Sequence, residues 1–349
     1  MNPRLRQLIS RFDSHHIDAF LVTRDVNIRY LTGFPACESW LLVGRKKSFY
    51  ITDFRYILEA RKGLQGIAVK RYEQSVYKTI GEMFARLKAK RLGFDEQHVT
   101  LSFFKKLKRE NPSIDLRSAK GLVEHLREIK TSEEIRLIKK AIQLNLKVYE
   151  YIKGFLKVGM TELQVLERCE RFVKDRGAVF SFPPIIASGP NACFPHAKVT
   201  TRRLKNNEAL LVDLGVELKG YKSDLTRIFF LGRIPRPINN IYNFVAEAQQ
   251  KAISRIKAGV KACDVDRAAR KHLDKNKLGK YFGHSLGHGV GLDIHESPRI
   301  SLTNPAVLKA GMVITVEPAV YVPQKFGIRI EDMVLVTEKG CEVLSDNWH

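Results

Sequence analysis

Short apolar runs alternate, over the first 120 residues, with stretches whose apolar residues recur every three or four positions. Ile17–Thr23, Trp40–Val43, Ser48–Thr52, Ile67–Tyr72 and Arg91–Phe94 predict strands, being short, apolar and bounded by charged or turn-forming residues. Leu5–Phe12, Phe54–Ala60, Tyr77–Lys88 and Leu101–Arg109 predict helices between or around them. Such alternation implies an α/β domain with a partly parallel sheet, which we place over residues 1–125.

A different pattern follows over residues 126–349. Thr131-Ser-Glu-Glu134 reads as a capping box, and Ile135, Ile138, Ile142, Val148 and Ile152 form the apolar stripe of a long helix. A second helix opens at Thr161-Glu-Leu-Gln164 and stops at Gly177, where glycine accepts the left-handed conformation. The arrangement then returns. A helix over roughly 238–257 precedes Gly259-Val-Lys-Ala-Cys-Asp264 and a second helix, Asp264–Asp274, just as 131–153 precedes Gly159-Met-Thr-Glu-Leu. A helix–helix–strand unit used twice would make an α+β domain with an internal pseudo-twofold repeat, its sheets flooring a cleft.

Polar residues interrupt the apolar strands of this second region. Leu210-Leu-Val-Asp213 and Gly220-Tyr-Lys-Ser-Asp224-Leu-Thr each place a carboxylate in an apolar strand, with Gly215 to Gly220 suited to a connecting turn. Asp213 and Asp224 can therefore lie side by side on a hairpin, where two buried ionised groups need a cation. His288 lies among glycines in Gly287-His-Gly-Val-Gly; Glu317 ends the strand Met312-Val-Ile-Thr-Val; Glu331 lies within Ile328-Arg-Ile-Glu-Asp-Met-Val. One imidazole and four carboxylates suit a pair of hard or borderline divalent ions about 3.5–4 Å apart, bridged by two of the carboxylates.

Composition narrows the classes. No stretch approaches the length of a membrane span, and the N-terminus interleaves Arg4, Arg6 and Arg11 with apolar residues instead of forming a secretory signal. A cytoplasmic location is expected. Five cysteines, odd in number and far apart, suggest neither a zinc knuckle nor a disulfide framework. The net charge of +23 is spread over both regions, so it reads as solvated surface and not as a nucleic-acid patch.

Taken together, Asp213-Leu-Gly, Ser223-Asp-Leu-Thr-Arg227, Gly287-His-Gly-Val-Gly-Leu, His295-Glu-Ser-Pro, Val316-Glu-Pro and Gly327-Ile-Arg-Ile-Glu-Asp resemble the pita-bread metallopeptidases in order and spacing. Asn27-Ile-Arg-Tyr-Leu-Thr-Gly33, Thr52-Asp-Phe-Arg-Tyr56 and Leu126-Arg-Glu-Ile-Lys130 are similar to the creatinase-type N-terminal domain of the Xaa-Pro branch. The resemblance implies that Asp213 chelates one ion, His288 and Glu317 hold the other, and Asp224 and Glu331 bridge. It further implies that Glu317 shuttles a proton and that His196 and His295 line the substrate site. His284 is expected near substrate, Arg329 beside Glu331 and Thr226 beside Asp224. Phe182, Phe194 and Tyr221 are the apolar candidates for a proline pocket.

The activity so implied is cleavage of Xaa-Pro bonds in proline-containing peptides. An Xaa-Pro aminopeptidase is the first expectation. The alternative is an Xaa-Pro dipeptidase (prolidase), in which Arg299 would clamp the free carboxylate. A metal-free nucleic-acid or protein-binding relative is disfavoured because all five ligand positions are kept. Manganese is the first expectation for the two ions, with cobalt, zinc or iron acceptable to the same ligands. A homodimer or higher homo-oligomer is the expected assembly.

Overall fold

The alternation of the first third folds into one six-stranded mixed sheet. In spatial order its strands are Ala68–Arg71, Ser48–Thr52, Trp40–Gly44, Ala19–Val22, Arg91–Phe94 and Asp115–Ser118. The pairs Ala19–Val22 with Arg91–Phe94, Arg91–Phe94 with Asp115–Ser118, and Ser48–Thr52 with Ala68–Arg71 are parallel; the other two pairs, Ala19–Val22 with Trp40–Gly44 and Trp40–Gly44 with Ser48–Thr52, are antiparallel. Helices Val76–Ala85 and Leu101–Glu110 bury Ile80, Met83, Phe84 and Leu107 against Leu21, Leu42, Phe49, Ile51 and Leu92.

Two elements escape the sequence pattern. Asp115–Ser118 is an exposed edge strand with Leu116 its lone apolar residue, so it shows no alternation. Asp25–Thr32 is a short helix with no side-chain N-cap bond, ended by Gly33 at φ 76°. This computed structural model describes residues 2–345. Contacts divide the chain into two compact units, Met1–Arg127 and Glu128–His349.

In the second unit both expected capping boxes form. Thr131 Oγ1 accepts from the Glu134 N–H while the Glu134 carboxylate accepts from the Thr131 N–H, opening the helix Ser132–Phe155. Thr161 and Gln164 do the same for Glu162–Lys174. The pair returns as Arg236–Ile253 and Ala262–Lys275, which pack on each other. Ile138, Ile142, Val148 and Ile152 are fully buried along the first helix, each side chain worth about 1.5–3 kcal/mol of burial.

Each helix pair is followed by antiparallel strands. The first set orders Ile185–Ser188, Glu208–Leu214 and Leu225–Leu231. The second orders Glu296–Ile300, Gly287–Gly289, Val313–Val316, Asp332–Val336 and Cys341–Val343. Small ribbons accompany them, among them Ala319–Val322 with Phe326–Arg329. Glu331 was expected inside one strand. It instead falls in the break between Phe326–Arg329 and Asp332–Val336, because the chain there leaves one partner strand for another and bridges Thr226 on the way.

Candidate metal centre and active site

Asp213 lies on the strand Glu208–Leu214, and Asp224 immediately precedes the strand Leu225–Leu231. Their register pairs Thr226 with Asp213. Because side chains alternate along a strand, Asp224, Thr226 and Asp213 share one face, with the two carboxylates diagonal to each other. The link between them is more than a turn, since Val216–Leu218 and Tyr221–Lys222 form a ribbon of their own.

His288 is the middle residue of the strand Gly287–Gly289. A Cβ at 287 would lie 2.0 Å from the Thr315 carbonyl oxygen, and one at 289 would lie 2.3 Å from that of Ser297. Backbone on both sides thus demands the two glycines, and their absence of side chains lets the imidazole sit deep. Its Nδ1 is 3.1 Å from the Gly289 carbonyl oxygen, which can only accept, so Nδ1 carries the proton. The Nε2 lone pair is left facing Glu317 Oε1 at 3.4 Å and Asp224 Oδ2 at 3.5 Å.

Glu317 follows the strand Val313–Val316 and is fixed by its N–H to the Leu286 carbonyl at 2.8 Å. Glu331 is 2 % exposed and accepts at Oε2 from the Thr226 hydroxyl at 2.7 Å. Ligand atoms of Asp224, His288 and Glu331 all lie within 4.8 Å of one another.

Electrostatics say what such a cluster wants. Burial pushes the Glu317 carboxyl up to about 8, with Arg329 opposing and Asp213 adding. Asp224 and Glu331 rise well above the carboxylate range through burial and then through the neighbouring carboxylates. Burial and then His295 hold the His288 imidazole down at about 4, so it is neutral. Four carboxylates meet one guanidinium, that of Arg329; Arg227 is taken up by Asp332 at 2.7 Å. Among the described residues, Asp213 Oδ1 is buried with no hydrogen-bond partner. An excess of negative charge, an orphaned carboxylate oxygen and an imidazole lone pair aimed among them fit divalent cations.

Two supporting partners differ from expectation. Arg329 pairs with Asp213 through Nη2, not with Glu331, and its Nε donates to Thr226 Oγ1 at 3.1 Å. Thr226 holds Glu331 and not Asp224, because its hydroxyl points across to Glu331, with which it forms an isolated β-bridge. Tyr321, unremarked in the sequence, bonds both Arg329 and, at 3.2 Å, His284 Nε2. His284 is held by burial at about 4.

His295 packs edge-on to His288 with ring centroids 4.2 Å apart. His196 is exposed and close enough to Asp213 and His295 for their charges to interact. Arg299 is exposed on the strand Glu296–Ile300, four residues after His295. Phe194 is 61 % exposed beside His196. Phe182 is half-buried, whereas Tyr221 is buried and donates to Glu134 Oε1 at 2.8 Å, which places it in the packing beneath the first helix.

Two buried amides were also missed. Asn145 Nδ2 donates to the Leu214 carbonyl at 2.8 Å and to Ser223 Oγ at 3.1 Å, the neighbours of Asp213 and Asp224. Gln249 Nε2 donates to the carbonyls of Val316 at 3.0 Å and Ile330 at 3.3 Å, the neighbours of Glu317 and Glu331. The first helix of each repeat thus grips both carboxylate-bearing strands of that repeat. Their signal was a polar residue inside an apolar helical stripe. In a separate group in the first unit the carboxylates already have partners: Glu124 Oε1 faces His98 Nε2 at 3.0 Å and Arg24 at 3.6 Å, and Asp95 accepts from the backbone N–H groups of Gln97 and Gly121.

Residues 136–338, more than half the chain, match Metallopeptidase family M24. The chain belongs to that family. Residues 4–129 match the Creatinase/Prolidase N-terminal domain. The Xaa-Pro dipeptidase of Pyrococcus horikoshii is 33% identical over 349 residues, covering 99% of this chain and 97% of its own length. Among solved structures, the Xaa-Pro dipeptidase from Bacillus anthracis has a TM-score of 0.94 at 35% identity, over 99% of this chain and 97% of that one. The X-Pro aminopeptidase from Thermotoga maritima has a TM-score of 0.89 at 31% identity, over 96% and 97%. These M24 likenesses bear out the two-part creatinase-plus-pita-bread architecture and the assignment to the metallopeptidases. Among the described residues, no helix is long and apolar enough to cross a membrane.

Proposed function

We propose that this M24 peptidase is a two-metal Xaa-Pro dipeptidase. The observation that carries the metallohydrolase reading is the convergence of buried carboxylates on the neutral face of His288. Asp213 is assigned to one ion, His288 and Glu317 to the other, and Asp224 and Glu331 to both, with manganese the first candidate. When bound, such ions acidify an attacking water and polarise the scissile carbonyl.

The residues supply the rest. Glu317 takes the water's proton and delivers it to the leaving nitrogen. An Xaa-Pro nitrogen carries no N–H, so recognition falls on shape and its departure requires that proton. His196 and His295 donate hydrogen bonds to the tetrahedral intermediate, and Phe194, exposed beside His196, is the wall offered to the proline ring. His284, Tyr321 and Arg329 keep Asp213 in place through their chain of bonds.

The dipeptidase form replaces the aminopeptidase form as first choice. It is supported by the Xaa-Pro dipeptidases that share 33–35% identity along nearly the whole chain. Arg299, an exposed cation on the strand that follows His295, is the group we assign to a dipeptide's free carboxylate. The Thermotoga maritima likeness keeps the aminopeptidase as a second reading. Rates on Gly-Pro and Gly-Pro-Pro with manganese decide between them. Cleavage of the dipeptide alone is expected; comparable kcat/KM on the tripeptide defeats the dipeptidase assignment.

A further inference from the structure

Two fully buried carboxylates lie outside the donor set, one near the start of the second helix of each repeat. Glu162 opens the helix Glu162–Lys174 and is 0% exposed. Its Oε1 accepts from the Ser188 N–H and hydroxyl, each at 2.8 Å. Its Oε2 accepts from Asn191 Nδ2 at 2.8 Å and from the Thr200 N–H and hydroxyl at 3.0 and 2.7 Å. All five donors belong to the segment 188–200, and Asn191 also closes that segment on itself through the Lys198 carbonyl.

His196 stands at the exposed crest of this segment and makes no hydrogen bond of its own among the described residues. Its place is therefore set by the backbone beneath it. That backbone is clasped at both ends by one carboxylate. In the middle it rests on Gly327, where a Cβ would meet the Ala192 oxygen at 1.9 Å, and on Arg329, which donates to the Pro195 carbonyl at 3.2 Å.

Asp266 answers it in the other repeat, on the helix Ala262–Lys275, and is also 0% exposed. Its Oδ2 accepts from the Leu286 N–H at 3.0 Å, and it pairs with Arg270 at 2.5 Å. Arg270 in turn donates to the carbonyls of Phe282, at 2.8 Å, and His284. The pair thus clasps residues 282–286, which bear His284 and run directly into His288.

We propose that Glu162 and the Asp266–Arg270 pair are positioning residues, each fixing the backbone that presents the histidines of its own repeat: His196 in one, His284 and His288 in the other. The kinetic part rests on the proposed peptidase reading. A carboxylate is required because five donors converge on one acceptor-only group; an amide would turn its own N–H bonds against them.

The test pairs amide hydrogen exchange on the full chain with a double-mutant cycle. Glu162→Gln should speed exchange within 188–200 and leave 282–288 unchanged, and Asp266→Asn should do the reverse. Calorimetric titration with manganese alone should show affinity falling about tenfold in Asp266→Asn, through His288, and staying within about twofold in Glu162→Gln. On Gly-Pro, Glu162→Gln should lower kcat roughly 10- to 100-fold, as small misplacements of reacting groups do. In a His196→Ala background the same change should cost under about twofold, because its effect passes through His196.

Exchange that quickens across the whole second unit, or a Glu162→Gln penalty that persists in full without His196, overturns the proposal. Should Glu162→Gln not fold, Thr200→Val removes one of the five donors, keeps the backbone N–H, and carries the same readouts. A wild-type chain that cleaves no proline peptide would defeat the proposed activity alone, and the exchange arm would still decide the clasps.

Discussion

Removing metal from this protein should make its stability fall as pH rises above neutrality, and the structure sets the size of the fall. With no cation present, Glu317 holds its proton up to about 8, against 4.5 when unfolded. Between those values the folded chain binds one more proton than the unfolded chain, so stability decreases with pH by up to about 1.4 kcal/mol per unit. His284 and His288 act oppositely: each is held at about 4 when folded and returns to 6.5 when unfolded. Below 6.5 they therefore add stability as pH rises and mask the carboxylate, whereas above 7 their contribution is nearly complete. The clean window is pH 7 to 8, where Glu317 should remove about 1 kcal/mol; burial shifts Asp224 and Glu331 in the same upward direction.

Urea unfolding of chelator-treated protein at a series of pH values measures this directly. The midpoint should decline from pH 7 to 8, the decline should vanish with saturating manganese, and Glu317→Gln should make the metal-free profile flatter. A metal-free midpoint that is level or climbs across the window would refute the reasoning, as would a Glu317→Gln profile with the wild-type slope.

Other perturbations test single contacts. Thr226→Val takes the hydroxyl from Glu331 and the acceptor from Arg329, both buried, and should cost about 1–3 kcal/mol in metal-free urea unfolding; a change under about 0.5 kcal/mol would show that these bonds contribute little. Gly289→Ala drives a Cβ onto the Ser297 carbonyl and should cost about 1–3 kcal/mol together with loss of manganese affinity in calorimetry, and wild-type affinity would contradict the packing argument. Arg299→Met should raise KM for Gly-Pro about tenfold or more with kcat nearly kept, since a bond to the free carboxylate is present before and during reaction; an unchanged KM removes Arg299 from the substrate.

The features legible in the sequence were local or repeated. Thr131 and Thr161 announced their helices because a capping box is written within four residues. Asp213, Asp224, Glu317 and Glu331 stood out because carboxylates in apolar surroundings are costly without a partner. What stayed hidden depended on contacts across the chain. Arg329 reaches Asp213 over more than a hundred residues, and no local pattern distinguishes that partner from nearby Glu331. Thr226 similarly chose the far carboxylate over the near one. Asn145 and Gln249 were visible only as polar breaks in buried stripes, a signal that means little until the strands they grip are known.

Asp213 and Asp224 come from one repeat and His288, Glu317 and Glu331 from the other. On the proposed ligand assignment neither half carries the full set, so all five groups would meet one pair of cations only once both halves have closed on one another. A chain stalled with one half unformed would then lack that half's ligands together with its share of the substrate site.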